Sequence, residues 1–531
     1  MKLNIAVILF IGWGFHACQY SSKNNIKAYS QTDSITPNNS YSELFLDSVS
    51  LEQFIKANKL PDSLSNRMRS FYNGRNYEYG WFFKEGLADY ASGFLRLVDD
   101  YIGYSGDSAV YNASLHQLVD SIDTQQREIN GKDPEVLQTE LLLTRDFFRY
   151  AARAYQGRNQ LNAKELEWYI PRKKIDMVGL LDTAIENRGK NFSAYEPVNR
   201  QYGLLKNYLL KYNDIEKSGG WSFVTADKKT YKQGDSSKLI SQVKKRLSLT
   251  GDYATNDTSA IFTPELTQGV KNFQHRFGFT ENGAINSTLL NEMKKPVRDR
   301  IRQILINMER IRWVPGAPTT DYLLVNIPEY RLHAYEKGKY KWSMNVVTGK
   351  AAHNTVVFTG TLKHIVFSPY WNIPPGILKN ETLPAIRRNK NYLAAHNMEW
   401  NGNTVRQKPG PNNALGLVKF LFPNVYNIYL HDTPSKSLFG EDKRAFSHGC
   451  IRLSQPTKLA LFLLRNNKEW DSTKVVKAMN AGKEKYVNVN ETVPVYIGYF
   501  TAWVDQEGKL NFRDDIYGHD RKMAAHLLSD K

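Results

Sequence analysis

Cysteine is almost missing from this chain of 531 residues: only Cys18 and Cys450 occur. A fold stapled by a framework of disulfides is therefore excluded. Long apolar runs are scarce too. After the segment that ends at Phe15, no stretch approaches the length needed to span a bilayer. Paired metal-ligand spacings are absent: His333, His353, His364 and His396 stand apart, and with so little cysteine a zinc site is not expected. Acidic residues are in deficit, 53 Asp and Glu against 71 Lys and Arg, for a formal charge of +18. Such an excess suits an anionic polymer or membrane. The basic residues are spread along the chain and no nucleic-acid motif accompanies them, so nucleic acid is not an expected partner.

What is present is enough apolar material, 41% of residues, to build three or four domains. Met1-Lys2 followed by the apolar run from Ile5 to Phe15 reads as a signal peptide over residues 1–18. Its end, Phe15-His16-Ala17-Cys18, resembles a bacterial lipobox, although Phe15 and His16 depart from the usual Leu and small residue. The expectation is an exported, periplasmic chain anchored to a bacterial membrane through lipidated Cys18, with soluble export as the alternative. Cys450 would then be a lone thiol in an oxidising compartment, where an unpaired thiol is a liability unless it has work to do.

Residues 19–43 are rich in Ser, Asn and Thr and read as a flexible tether. Helical periodicity runs through residues 44–225, a scaffold with no catalytic cluster. Residues 226–297 carry apolar positions for three short helices: Leu239, Ile240, Val243 and Leu247, then Leu266, Val270 and Phe273, then Leu289 and Leu290. Val270-Lys271-Asn272-Phe273-Gln274, Phe277-Gly278-Phe279, Asn282-Gly283 and Asn286-Ser287-Thr288-Leu289 resemble the three-helix peptidoglycan-binding domain. Residues 298–318 read as a basic amphipathic linker helix that stops at Pro315-Gly316. From 319 to 495 the period becomes two, as in Tyr322 to Ile327, Arg331 to Tyr335 and Lys341 to Val347, with turns at Pro328-Glu329 and Lys337-Gly338. A helical, basic insertion at about 375–416 interrupts this β-rich domain and is expected to cap its site. Residues 496–531 are expected to pack on the catalytic domain. The fold class is multidomain α+β.

The chemistry concentrates in Ser447-His448-Gly449-Cys450-Ile451-Arg452-Leu453. A thiol nucleophile needs an imidazole to take its proton, a group to orient that imidazole, and backbone donors for the oxyanion. His431, at the end of the strand Tyr426 to Leu430, can face Cys450 from a neighbouring strand. Asp432 or a nearby carbonyl can hold its ring. The amides of Gly449 and Cys450 can line the oxyanion site. If the segment is extended, His448 and Arg452 lie on the side of Cys450 and their positive charge favours the thiolate.

His431, fifteen residues and Ser-His-Gly-Cys-Ile-Arg together resemble the signature of the L,D-transpeptidase family. Glu309 to Trp313, Ser368 to Pro375, Arg406 to Gly416 and Tyr429 to Pro434 are similar to the large branch of that family. That branch carries a scaffold domain, a peptidoglycan-binding module and a capped catalytic domain. The resemblance implies a cysteine acyl-enzyme that joins peptidoglycan tetrapeptide stems, as donor and acceptor, in 3→3 cross-links. It implies no cofactor, and acylation of Cys450 by carbapenem-type inhibitors. It assigns the base to His431, while the sequence leaves His448 open. Ser447, Arg452, Tyr429 and Trp371 are candidate contacts for the stem. The alternatives are an L,D-carboxypeptidase, with water as acceptor, and a non-catalytic lipoprotein anchored to the wall.

Overall fold

Two halves of the molecule meet on the helix Val297–Trp313. The sequence suggests an amphipathic linker. In the computed structural model, which describes residues 42–125, 128–158, 164–188, 199–222 and 226–527, this helix is buried on most sides. Ile304, Met308 and Ile311 enter a helical core, and Ile306 and Trp313 enter a β-rich one. Its charged residues tolerate burial because each finds a partner. Glu309 accepts from Arg158 N at 2.6 Å, Arg312 Nη1 at 2.6 Å and Trp313 Nε1 at 3.1 Å. Arg310 reaches Asp520 at 2.5 Å. Polar letters that looked like a solvated face are in fact a buried strut. The expected signal segment, Cys18 and nearly all of the tether lie outside the described residues. No helix among the described residues is long and apolar enough to cross a membrane.

Among the described residues, seven α-helices form the N-terminal part, from Ser48–Ala57 to Arg200–Lys217. Local chemistry sets their ends. The Asp133 carboxylate accepts from Glu135 N at 2.9 Å and Pro134 opens the helix Pro134–Ala151. Helices Lys238–Thr250 and Pro264–Phe277 begin on the Ser237 and Thr263 hydroxyls and end on Gly251 and Gly278, both left-handed. A third helix, Ser287–Met293, completes that group. These three are not walled off: their apolar residues share one core with the N-terminal helices.

The C-terminal segment divides. Helix His519–Leu527 puts Met523 into the β-rich core. The hairpin of Ala502–Val504 with Leu510–Phe512 instead gives Ala502, Val504, Leu510 and Phe512 to the helical core. Phe512 stacks on Phe277 at 5.5 Å, and Arg276 pairs with buried Asp252 at 2.7 Å while donating to Leu510 O at 2.6 Å.

The β-rich half is a nine-stranded mixed sheet of β1 (Tyr322–Asn326), β2 (Arg331–Glu336), β3 (Lys339–Gly349), β4 (Phe358–Phe367), β5 (Val418–Leu421), β6 (Leu430–His431), β7 (Ala445–Ser447), β8 (Ile451–Leu453) and β9 (Lys485–Gly498). The order is β7-β3-β8-β6-β5-β4-β9-β1-β2, and β2 also pairs with β3, so the hydrogen bonding returns on itself. The period-two segments of the sequence are β1 to β3, with turns where Pro328-Glu329 and Lys337-Gly338 placed them. Alternation buries Leu323, Val325, Leu332 and Ala334 inside.

The helical half sends one segment across. Leu166, Trp168 and Ile170 lie in the β-rich core, where Trp168 bridges Val357 and meets Trp313 edge-on at 5.3 Å. The cap differs from its helical expectation. Short helices over Pro375–Ile377, Leu383–Arg388 and Tyr392–Ala395 give way to a hairpin, Met398–Asn401 with Thr404–Gln407, that joins Trp371–Asn372 in a three-stranded sheet. Buried Asn413 ties its return: Nδ2 donates to the carbonyls of Pro369 at 3.1 Å and Lys408 at 2.9 Å.

Candidate active site

The site stands on the parallel pair β6 and β8, in which Leu430 faces Ile451 and His431 faces Arg452. One step back, Ile451 N donates to Tyr429 O at 3.1 Å and continues the ladder. Leu430 and Ile451 are fully buried in the core. Alternation therefore sends Tyr429, His431 and Arg452 to the opposite face, together with Cys450, which immediately precedes β8. Of the expected strand at 426–430 only Leu430 belongs to β6. Asn427 takes a left-handed φ of 55°, and the Asn424 side chain bonds the Ile428 amide and carbonyl at 3.2 and 2.7 Å. A side chain that satisfies nearby backbone in this way replaces the strand ladder locally.

His431 is buried, and its Nδ1 lies 2.5 Å from the Asp432 carbonyl oxygen. A carbonyl can only accept, so Nδ1 carries the proton and Nε2 holds the lone pair of a neutral base. Burial brings this imidazole down to about 4, with Arg452 acting in the same direction and the carbonyls of Asp432 and Leu415 opposing. The orienting group is thus backbone. The Asp432 carboxylate, a candidate for that role, is turned away: it accepts from Leu417 N at 2.9 Å and from Lys436 Nζ.

Cys450 is a free thiol, half-buried, with Sγ 3.6 Å from Asn427 O. Burial pushes it up, and the Tyr429 amide and hydroxyl, then Arg452, oppose this. Arg452 is the weakest of these three influences. Its Nε is buried without a hydrogen-bond partner among the described residues. Tyr429 was a minor candidate, but its hydroxyl is directed at the thiol.

His448 is not gathered with them. The segment Ser447 to Cys450 is a turn rather than extended chain: Ser447 Oγ donates to Cys450 O at 2.5 Å and accepts from Gly449 N at 3.2 Å, and Gly449 has φ of 108°. The turn breaks the alternation that would have put His448 beside Cys450. His448 instead pairs its Nε2 with Glu381 of the cap at 3.5 Å and lies against His353 at 4.9 Å. The same turn engages two other candidates internally, the Ser447 hydroxyl and the Gly449 amide. Trp371 belongs to the cap's small sheet, paired with Gln407, and not to the strands that carry Cys450.

Sequence reasoning passed over the Asn427 carbonyl, Glu381 and Thr355. Only Asn427 carried a signal, since Asn is enriched in left-handed backbone. No cluster of three or more His, Cys, Asp or Glu suited to a metal occurs among the described residues.

A thiol, a neutral imidazole and a guanidinium on one face of a sheet form a site able to carry out cysteine acyl transfer. The comparisons agree with that class. Residues 320–496 match the L,D-transpeptidase catalytic domain (YkuD), and residues 66–209 match the Scaffold domain. Over residues 320–496 the chain thus carries an L,D-transpeptidase catalytic domain. A Haemophilus influenzae protein provisionally named an L,D-transpeptidase is 31% identical over 243 residues, 42% of this chain and 49% of that protein. The match thus spans about half the length of this relative. Among solved structures, an L,D-transpeptidase from Stackebrandtia nassauensis is 16% identical over 51% of this chain and 97% of its own, with a TM-score of 0.21. L,D-transpeptidase 3 from Mycobacterium tuberculosis, in complex with a faropenem-derived adduct, is 13% identical over 35% of this chain and 62% of its own, with a TM-score of 0.18. At such scores no argument rests on their superposition.

Proposed function

We propose that the chain forms 3→3 cross-links in peptidoglycan through a Cys450 acyl-enzyme. The observation that carries this reading is the β6–β8 register, which sets His431 beside Arg452 and Tyr429 beside Cys450. The Cys450 thiol gives its proton to His431, and its sulfur attacks the carbonyl of the third residue of a donor tetrapeptide. The peptide bond to the terminal D-Ala breaks, and that amine leaves with the proton from His431. The side-chain amine of the third residue on a second stem then attacks the thioester. The new amide forms, the C–S bond breaks, and the amine's proton returns through His431 to the thiolate. His431 is neutral, so its Nε2 lone pair is free to take the proton as attack begins. Arg452, whose Nε has no hydrogen-bond partner among the described residues, suits a carboxylate of the stem.

Helices Lys238–Thr250, Pro264–Phe277 and Ser287–Met293 are assigned to peptidoglycan binding on the resemblance of their sequence. The proposal keeps the periplasmic placement and the lipid on Cys18, for which loss of labelled palmitate from Cys18→Ala is the test.

The deciding experiment incubates the full chain with a tetrapeptide-bearing disaccharide and reads products by mass spectrometry. Cross-linked dimer that disappears in Cys450→Ala is expected. Release of D-Ala alone would make the protein a carboxypeptidase, and no turnover would leave an anchoring role.

A further inference from the structure

We infer that Thr355 is a positioning residue that aims the Cys450 amide at the oxyanion formed during acylation, an inference that rests on Cys450 being the acylated nucleophile. Thr355 is fully buried in the segment between β3 and β4, beneath the turn that carries Cys450. Its Oγ1 lies 2.8 Å from Gly449 O and 2.9 Å from Gly349 N. An amide can only donate and a carbonyl can only accept, so the single hydroxyl proton points at Gly449 O. Tyr517 braces the same place, donating its hydroxyl to Gly349 O at 2.5 Å and accepting from Thr355 N at 3.3 Å.

The carbonyl held by Thr355 and the N–H of Cys450 belong to one peptide group. That group is trans and planar, so fixing the C=O in one direction fixes the N–H in the opposite one. An external tether matters here because Gly449 has φ of 108°, a conformation that only glycine adopts freely and that glycine alone does not hold. The neighbouring amide on its N-terminal side is spoken for, since Gly449 N donates to Ser447 Oγ. The oxyanion of the tetrahedral intermediate therefore depends on the Cys450 amide, and its aim depends on Thr355. A hydroxyl that merely satisfied a buried carbonyl would support the fold without distinguishing one reaction of Cys450 from another.

Two reactions of the same thiol separate these roles. Carbapenem acylation passes through an oxyanion, whereas alkylation by iodoacetamide at a saturated carbon does not. Rates of both are measured on the full chain, by mass spectrometry of the peptide that contains Cys450. In Thr355→Val, acylation is expected to fall about 10- to 100-fold, less than the roughly 10²- to 10³-fold for outright loss of an oxyanion donor, because the Cys450 amide remains but loses its aim. Alkylation is expected to stay within about twofold of the unsubstituted protein, and Thr355→Ser to recover most of the acylation. Tyr517→Phe, which keeps the Thr355 hydroxyl, should show the same imbalance in smaller measure. Equal losses in both reactions for both variants, or an acylation rate untouched by Thr355→Val, overturns the inference. Failure of the unsubstituted protein to acylate at all while it still alkylates overturns the underlying assignment of Cys450 instead.

Discussion

Glu140 in the helical half and His431 in the β-rich half are both closed off from water, and burial moves their protons in opposite directions. Glu140 accepts from Gly80 N at 2.8 Å, Tyr72 OH at 2.9 Å and Trp81 N at 2.9 Å. Burial still raises it to about 7. His431 has one short contact to a carbonyl, and burial lowers it to about 4. The carboxylate draws three elements together: the helix Asp62–Gly74, the chain at Gly80-Trp81 and the helix Pro134–Ala151. Each of its oxygens is occupied. The imidazole is held by one edge and keeps a lone pair in reserve. A buried ionisable group that is saturated by its neighbours organises a fold, and one that is held from one side only is available for chemistry.

The sharpest way to break this comparison is to remove the reserved lone pair. His431→Ala is expected to lower carbapenem acylation of Cys450 by about 10²- to 10⁴-fold, the range for a lost general base. His448→Ala should change it by no more than about threefold, because that ring is held by the cap. A large loss from His448→Ala, with His431→Ala near normal, would exchange their roles.

The next effect lies in stability and has a sign fixed by the protons. The folded state holds Glu140 near 7, against 4.5 for an unperturbed carboxyl, so it binds more protons than the unfolded chain within that window. The resulting stability is complete below about 4.5 and is lost as pH rises through about 7. The change across the window is on the order of 3 kcal/mol. Glu140→Gln removes this dependence but leaves the Trp81 amide facing an NH2 group, at a cost of about 1–3 kcal/mol. Urea denaturation should therefore find the variant less stable at pH 5, with the gap narrowing or reversing at pH 8. A constant gap would show that Glu140 does not titrate there.

His431 gives the opposite window: its contribution is present above about 6.5 and lost as pH falls through about 4. The acid limb of Cys450 acylation should accordingly lie near pH 4 in the free protein. A limb near 6.5 would mean an ordinary, solvated histidine. The smallest effect concerns the cap. The His448–Glu381 pair is open to water, and such pairs contribute about 0–1 kcal/mol. Glu381→Ala should shift the KM for the disaccharide by no more than about threefold, with kcat unchanged.

Local chemistry was legible and distant chemistry was not. The strands around Val325 and Leu332 declared themselves by alternation, and the helices at 238–250 and 264–277 by the spacing of their apolar residues. The turn containing Cys450 was legible as a motif, and its geometry was misjudged because alternation was assumed to run through it. Once Ser447 Oγ closes on Cys450 O, positions two apart no longer share a side. Thr355 carried no signal at all, since its partner Gly449 is 94 residues away. The same is true of Glu167, which receives Asn354 Nδ2 at 2.8 Å across 187 residues and so ties the helical half to the segment beneath Cys450. Glu309 and Arg310 of the helix Val297–Trp313 looked solvated for the same reason: Arg158 and Asp520, which meet them, lie in other parts of the chain.

The hairpin Ala502–Val504 with Leu510–Phe512 has a consequence for the order of assembly. Gln201 holds both the amide and the carbonyl of Val504 across 303 residues, and Tyr208 donates to Gly508 across 300. During synthesis the helical half is therefore made early and completed late, after the whole β-rich half has emerged. Closing so long a loop delays folding far more than it costs stability. An early cleavage or a stalled ribosome yields a helical fragment with an open seam rather than a smaller finished protein, so an intact helical half and an intact β-rich half arrive together.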